Sequence, residues 1–224
     1  MTVIVENLVR LRERIAAAAA RSERTAEDVT LVAVTKTVGI DRIRDAMAAG
    51  AAEIGENYVQ EAQGKWLELR DAVRWHFIGH LQRNKAKAAV EFFDTIQSVD
   101  SLALAQEIGR RAQAANRRID VLVEVNIAGE ATKYGASPEE ALGLAGEIAG
   151  LEGIRLRGLM GMAPFVENPE SVRPCFRLLR SLFEKLPAEN RGWLSMGMTQ
   201  DFEVAIEEGS NMVRIGTAIF GPRM

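Results

Sequence analysis

Cysteine is almost absent. Cys175 stands alone among 224 residues, so no internal disulfide can form, which fits a reducing cytoplasm. Pro174-Cys175-Phe176 carries no signature of a reactive thiol, and packing is the role expected of it. Histidine is scarce as well. His76 and His80 are the only two; they flank a strand end with no acidic or cysteine cluster beside them, so no metal site is expected. An excess of one charge is also missing. The 28 basic and 31 acidic residues leave a net charge of −3, which offers nothing to attract nucleic acid or anionic lipid. The small basic group Arg83, Lys85 and Lys87 lacks the interleaved aromatics of an RNA surface and reads as a solvated helix face. No apolar run is long enough to span a bilayer, and Met1-Thr2-Val3-Ile4-Val5-Glu6 lacks the basic start and apolar core of a secretion signal. No linker, low-complexity tract or repeat interrupts the chain, so residues 1–224 are expected to form a single domain.

What is present is an alternation of strand-like and helix-like segments. A helix is expected near residues 7–21. Strands are expected at 30–36, 53–57, 74–79, 95–99, 120–127, 154–162, 193–198 and 212–216, with helices near 40–50, 57–69, 83–91, 101–115, 138–150, 170–186 and 200–208. Ser137-Pro138 and Asn168-Pro169 mark helix starts; Gly50, Gly150 and Gly209 mark stops. Such an alternation implies a parallel sheet. A doubly wound open sheet would announce a Gly-rich turn after its first strand, and Thr35-Lys36-Thr37-Val38-Gly39 is not one. The count and length fit an α/β fold of the closed (β/α)8 TIM-barrel type with an extra N-terminal helix.

Strand periodicity then sorts side chains. In Val121-Leu122-Val123-Glu124-Val125-Asn126 the valines suit the helix layer, which turns Leu122, Glu124 and Asn126 inward. Val32, Val34 and Lys36 share one face, as do Met212, Arg214 and Gly216. Polar groups thus gather toward the strands' C-terminal halves, the end where barrels place their active sites. A buried Glu124 needs a partner, and Arg214 or Lys36 could serve.

Lys36 ends an apolar strand. A lysine there has a flexible stem and an amine whose pKa drops readily on burial, properties that suit a Schiff-base lysine; taken alone it also reads as a solvated loop residue. Two distant segments change the balance. Ser195-Met196-Gly197-Met198-Thr199 and Arg214-Ile215-Gly216-Thr217 end the seventh and eighth strands, where barrels often bind phosphate through glycine turns and helix N-termini. Lys36 on the first strand adjoins the eighth once the barrel closes. An aldehyde-bearing, phosphate-bearing cofactor, pyridoxal 5′-phosphate, needs both features.

The blocks Val34-Thr35-Lys36-Thr37, Gly55-Glu56-Asn57-Tyr58-Val59-Gln60-Glu61, His76-Phe77-Ile78-Gly79, Leu81-Gln82-Arg83-Asn84-Lys85, Val125-Asn126-Ile127, Arg157-Gly158-Leu159-Met160, Leu194-Ser195-Met196-Gly197-Met198 and Met212 to Gly221 follow one another in order. On these residues the chain resembles, over nearly its whole length, the pyridoxal phosphate homeostasis protein family. The resemblance implies a fold like the N-terminal barrel of alanine racemase. It also implies a Schiff base (internal aldimine) on Lys36, phosphate contacts from Ser195, Gly216 and Thr217, Arg214 facing the pyridine nitrogen, and Asn57 in the pocket. Met196 and Gly197 belong to the first anion turn. Met160 is expected as packing under the cofactor, and His76 as a hydrogen-bonded pocket or core histidine. His80 stands where many members have proline and Gln200 where an acidic residue is frequent, which touches loop shape rather than a named contact.

Arg214 bears on mechanism. A guanidinium only donates hydrogen bonds and stays charged, so a facing pyridine nitrogen must accept and the ring is a weaker electron sink. Racemases with this arrangement add a tyrosine from another domain. Here the chain ends at Met224, and Tyr58 and Tyr134, the only tyrosines, are expected to be structural. The expectation is a cytoplasmic, monomeric, non-enzymatic carrier that buffers pyridoxal 5′-phosphate in vitamin B6 homeostasis and passes it to apoenzymes. The alternatives are a small racemase-like enzyme and a non-catalytic interaction module.

Overall fold

Stretches rich in valine, isoleucine and leucine alternate with amphipathic ones, and each kind takes the form its period dictates. The computed structural model describes residues 2–130 and 133–222; Met224, the expected end of the domain, lies outside them. Helix α1 (Val3–Arg21) comes first, followed by β1 (Thr30–Val34), α2 (Ile40–Ala48), β2 (Glu53–Glu56), α3 (Val59–Leu69) and β3 (Arg74–Phe77). Then follow α4 (Ala86–Phe92), β4 (Thr95–Val99), α5 (Leu102–Ala114), β5 (Ile119–Val125), α6 (Ala141–Ala149) and β6 (Ile154–Gly161). The series closes with α7 (Arg173–Phe183), β7 (Trp193–Ser195), α8 (Phe202–Glu207), β8 (Met212–Ile215) and the short α9 (Thr217–Phe220). The strands form a closed parallel barrel in sequence order. β1 closes it against β8, from Thr30 opposite Met212 to Ala33 opposite Ile215. All the expected strands are present. Most end one to three residues early, because Lys36, Asn57, Ile78 and Met198 leave the sheet to form loops at the C-terminal mouth. The helix expected at 83–91 starts as a 3-10 turn over Arg83–Lys85 before α4.

The expected parity holds in β1, β5 and β8. Val32, Val34, Leu122, Met160 and Met212 are buried, yet they lie apart from the apolar cluster that joins strands to helices. They fill the barrel interior. Their neighbours Ala33, Val121, Val123, Val213 and Ile215 belong to that outer cluster. Helix α1 buries Ile4, Leu8, Leu11 and Ile15 against α2, α8 and α9. Its Asn7 Nδ2 donates to the Ile219 carbonyl at 2.9 Å, which ties this extra helix to α9 and so to the edge of the mouth.

The opposite end of the barrel is closed by ionic and aromatic packing. Buried Asp120 accepts from Arg74 at 2.7 Å and from Arg155 at 2.6 Å. Arg74 and Arg157 each lie 4.9 Å from the Trp193 ring centroid.

Candidate functional site

A cavity of about 350 Å³ opens at the C-terminal mouth, within the roughly 300–1,000 Å³ range of small-molecule sites. Lys36 and Val34 from the end of β1, Asn57 after β2, Arg214 on β8, and Gly216 and Thr217 at the start of α9 border it on one side. Ile78 after β3, Met162, Pro164 to Val166 and Pro169 after β6, and Met198 to Asp201 after β7 contribute the rest.

Each polar side chain is there for a local reason. Lys36 is half-buried, two residues past the end of β1. Asn57 is seated where the loops after β2 and β3 pass each other closely: a Cβ on Gly79 would lie 2.4 Å from the Asn57 carbonyl oxygen, so only glycine allows the approach. Asn57 Oδ1 is buried and accepts no hydrogen bond from the described residues; a ligand donor would satisfy it. The Ile219 and Phe220 amides both donate to the Gly216 carbonyl at 2.9 Å, which winds the chain into α9 at the cavity edge. Asp201 Oδ1 accepts from the Met198 amide at 2.6 Å and holds the loop after β7 in place.

Arg214 is the electrostatic centre. Burial lowers its pKa to about 10, against the charges of Glu124 and Asp201, so it remains a cation at neutral pH. Its Nη1 donates to Ser195 Oγ at 2.5 Å and its Nη2 to the Gly161 carbonyl at 3.0 Å. Glu124 lies inward and buried, as its parity predicts. Burial first, and then the charge of Asp100, raises its pKa to about 7, with Arg214 opposing. Arg214, one of the two partners expected for Glu124, acts on it through charge.

A chain of side-chain hydrogen bonds descends from Arg214 into the barrel, and chemistry fixes its direction. Arginine has no acceptor, so Ser195 Oγ accepts from it and sends its own proton to Gln97 Oε1, 2.6 Å away. The Gln97 amide nitrogen is thereby turned to His76 Nδ1 at 3.0 Å and to Met212 Sδ at 3.2 Å. His76 Nδ1 must accept, which leaves its Nε2 proton for Glu53 Oε2 at 2.6 Å. His76 and Ser195 are fully buried links in this chain.

Of the residues expected at the site, Lys36, Asn57, Arg214, Gly216 and Thr217 meet at the cavity. His76, Met160, Ser195, Met196 and Gly197 do not border it. His76 and Met160 lie deeper in the barrel, and Ser195 sits beneath Arg214, holding it. Met196 packs in the outer apolar cluster. Gly197 has φ +96° and no room for a Cβ, which would sit 2.6 Å from the Ala205 Cβ; its glycine serves the β7–α8 contact. Met162 and Met198, the other methionines near these strand ends, do line the cavity. His80 stacks on Tyr134 with ring centroids 3.7 Å apart, linking the loops after β3 and β5, and Gln200 borders the cavity. Tyr58 and Tyr134 are both exposed. Sequence reasoning missed Asp201 and the segment Pro164 to Pro169. Asp201 had a local signal, an acidic residue just before a helix; the segment had none. It also missed the cluster of buried Glu56 and Lys65 with half-buried Glu61 beside the Lys36 turn. Among the described residues no group of three or more His, Cys, Asp or Glu is disposed to hold a metal ion, and no helix is long and apolar enough to cross a membrane.

A closed parallel barrel with a lysine after its first strand and a cation on its last defines a class. Residues 7–224 match the family described as alanine racemase, N-terminal domain. A pyridoxal phosphate homeostasis protein of Aquifex aeolicus is 45% identical over 222 residues, covering 97% of this chain and 97% of that protein. The chain belongs to the pyridoxal phosphate homeostasis protein family. A crystal structure of an unknown protein from Bifidobacterium adolescentis superposes with a TM-score of 0.89 at 40% identity, covering 97% of this chain and 94% of that one. PipY of Synechococcus elongatus, in a structure with PLP bound, gives a TM-score of 0.84 at 35% identity, covering 97% of this chain and all (100%) of that one.

Proposed function

We propose that this chain binds pyridoxal 5′-phosphate at the C-terminal mouth of its barrel, held as a Schiff base on Lys36, and that it buffers or delivers the cofactor rather than turning over amino acids. The observation that carries the reading is that Lys36, Arg214, Gly216 and Thr217 border one cavity. Their chemistry fits the group: an amine, a fixed cation, a hydroxyl, and the backbone of a strand-to-helix turn. When bound, pyridoxal phosphate supplies an electrophilic aldehyde and a phosphate that needs donors. Gly216 and Thr217 would hold the phosphate, with Lys36 as the covalent attachment and Asn57 lining the pocket. Ser195, Met196, Gly197, His76 and Met160 shape and support the pocket. The homeostasis name of the relatives and the PLP-bound state of PipY support the reading.

Arg214 argues for holding over catalysis. Two of its five donors are committed to Ser195 and Gly161. A ring nitrogen facing the others would have to accept, and so would stay unprotonated. We also read the protein as a cytoplasmic monomer with residues 1–224 as one domain and apo pyridoxal-phosphate enzymes as recipients; the lone Cys175 supports the reducing compartment.

Borohydride reduction of the protein loaded with pyridoxal 5′-phosphate, followed by peptide mapping, tests the site. The label is expected on Lys36, and Lys36→Ala should lose both the label and the visible absorbance of the bound cofactor. Equal cofactor binding by Lys36→Ala would sink the assignment. Deuterium exchange at an amino acid's Cα, at enzymatic rates and dependent on Lys36, would instead favour a racemase-like enzyme.

A further inference from the structure

The turn carrying Lys36 is gripped on both sides by a partly buried ionic cluster that lies outside the cavity lining. Lys65 on α3 is 8% exposed. Its ammonium donates to the Thr35 carbonyl at 2.6 Å, to Glu56 Oε1 at 2.7 Å and to Glu61 Oε1 at 2.7 Å. All three of its protons are thus used, so Lys65 is anchored rather than available as a second attacking amine. The two carboxylates then reach the residues on either side of Lys36. Glu56 Oε1 accepts from Thr35 Oγ1 at 2.6 Å, and Glu61 Oε1 accepts from the Thr37 amide at 2.5 Å. Thr37 itself has φ +63°, a left-handed conformation that a β-branched residue adopts only when its surroundings impose it. Here the surroundings are visible: the Thr35 carbonyl receives the Lys65 ammonium and the Val38 amide, while the Thr37 amide is held by Glu61.

We propose that Glu61 and Lys65, with Glu56, are positioning residues for Lys36. They fix the Thr35–Thr37 turn so that the lysine stem leaves β1 toward the cavity in one orientation. This inference rests on the assignment of Lys36 as the attachment point. The step it serves forms a carbon–nitrogen double bond between Lys36 Nζ and the aldehyde carbon of the cofactor and releases the aldehyde oxygen as water. Holding a reacting group in place contributes to the rate, and a displacement of about 1 Å can cost up to about a hundredfold.

The test uses the full chain without cofactor, pyridoxal 5′-phosphate as the probe, and two substitutions at Glu61, whose side chain is 27% exposed and should tolerate change. Glu61→Ala frees the Thr37 amide. It is expected to slow the appearance of the visible absorbance and of the borohydride-trapped Lys36 label by about tenfold or more. Glu61→Gln removes the charge and one oxygen but keeps an oxygen acceptor for the Thr37 amide, and should recover most of that rate. Lys65→Met should resemble Glu61→Ala; if it does not fold, the Glu61 pair still decides. A parental rate in Glu61→Ala, or equal slowing in Glu61→Ala and Glu61→Gln, would overturn the positioning role. If the parent carries no label on Lys36, the attachment reading itself fails. The brace is then read without cofactor, by amide hydrogen exchange over residues 35–38. Faster exchange in Glu61→Ala than in Glu61→Gln supports it, and equal exchange overturns it.

Discussion

Removing Gln97 should cost the protein stability through groups that never touch the cavity. Gln97 is fully buried and joins Ser195 Oγ at 2.6 Å to His76 Nδ1 at 3.0 Å. Gln97→Leu keeps the approximate volume but leaves the Ser195 proton without its acceptor and His76 Nδ1 without its donor. A buried donor or acceptor left unsatisfied costs about 1–3 kcal/mol, so two of them predict a loss of about 2–6 kcal/mol. Rotation of the Ser195 hydroxyl toward another acceptor would pull the value to the lower end. Urea denaturation followed by circular dichroism reads the loss as a lower midpoint with an unchanged slope. Nitrogen chemical shifts supply an independent check: His76 should be the neutral Nε2–H tautomer in the parent, and with only two histidines in the chain the assignment is simple. A loss below about 1 kcal/mol, or a protonated Nδ1 on His76 in the parent, would refute the directional chain drawn down from Arg214.

Glu124 gives a pH test. Burial raises its carboxyl from 4.5 to about 7, so between those values the folded chain keeps a proton that the unfolded chain gives up. Stability should therefore fall as pH rises across that window, by about 3 kcal/mol in all. Glu124→Gln should lose that part of the slope, while Glu56 and Asp201, also raised by burial, keep theirs in both proteins. Equal pH dependence in variant and parent by urea denaturation would show that Glu124 is not held protonated. Gly197→Ala should destabilise by roughly 2–4 kcal/mol, combining left-handed strain with overpacking, because its Cβ would lie 2.6 Å from the Ala205 Cβ. The same denaturation assay checks it, and a change near zero would mean the β7–α8 contact is loose.

Much of this site is legible in the sequence because strand periodicity is rigid. Val32, Val34 and Lys36, and likewise Met212 and Arg214, share faces by a period of two, and closure of β1 on β8 brings the two sets together. Depth along the barrel axis has no such signature. His76 and Ser195 face inward like Arg214, but strand stagger sets them below the cavity, where they serve Arg214 or the core. Parity separates Met196, which faces the helices, from the interior; depth separates Met160 from Met162. The loop from Pro164 to Pro169 follows a path that no period encodes. The pair Glu61 and Lys65 is readable as an i, i+4 contact on α3. Its docking onto the Thr35 carbonyl depends on how α3 packs against the end of β1, which only the tertiary structure shows.

The titratable groups bordering the cavity bear on what it does. Among the described residues they are Lys36, Asp201 and Arg214. Asp201 is engaged by the Met198 amide, and Arg214 is fixed from below by Ser195 and Gly161. Moving a proton at a substrate carbon calls for an acid or base free to exchange it near neutral pH. Glu124 has the matching pKa of about 7, but it is buried beneath the mouth and lies outside the cavity wall. A cation locked in place and a proton-exchanging carboxyl kept outside the cavity wall support the proposed retention of a ligand over its conversion, and Lys36, the remaining titratable group at the cavity, is the one that the Cα deuterium-exchange measurement tests.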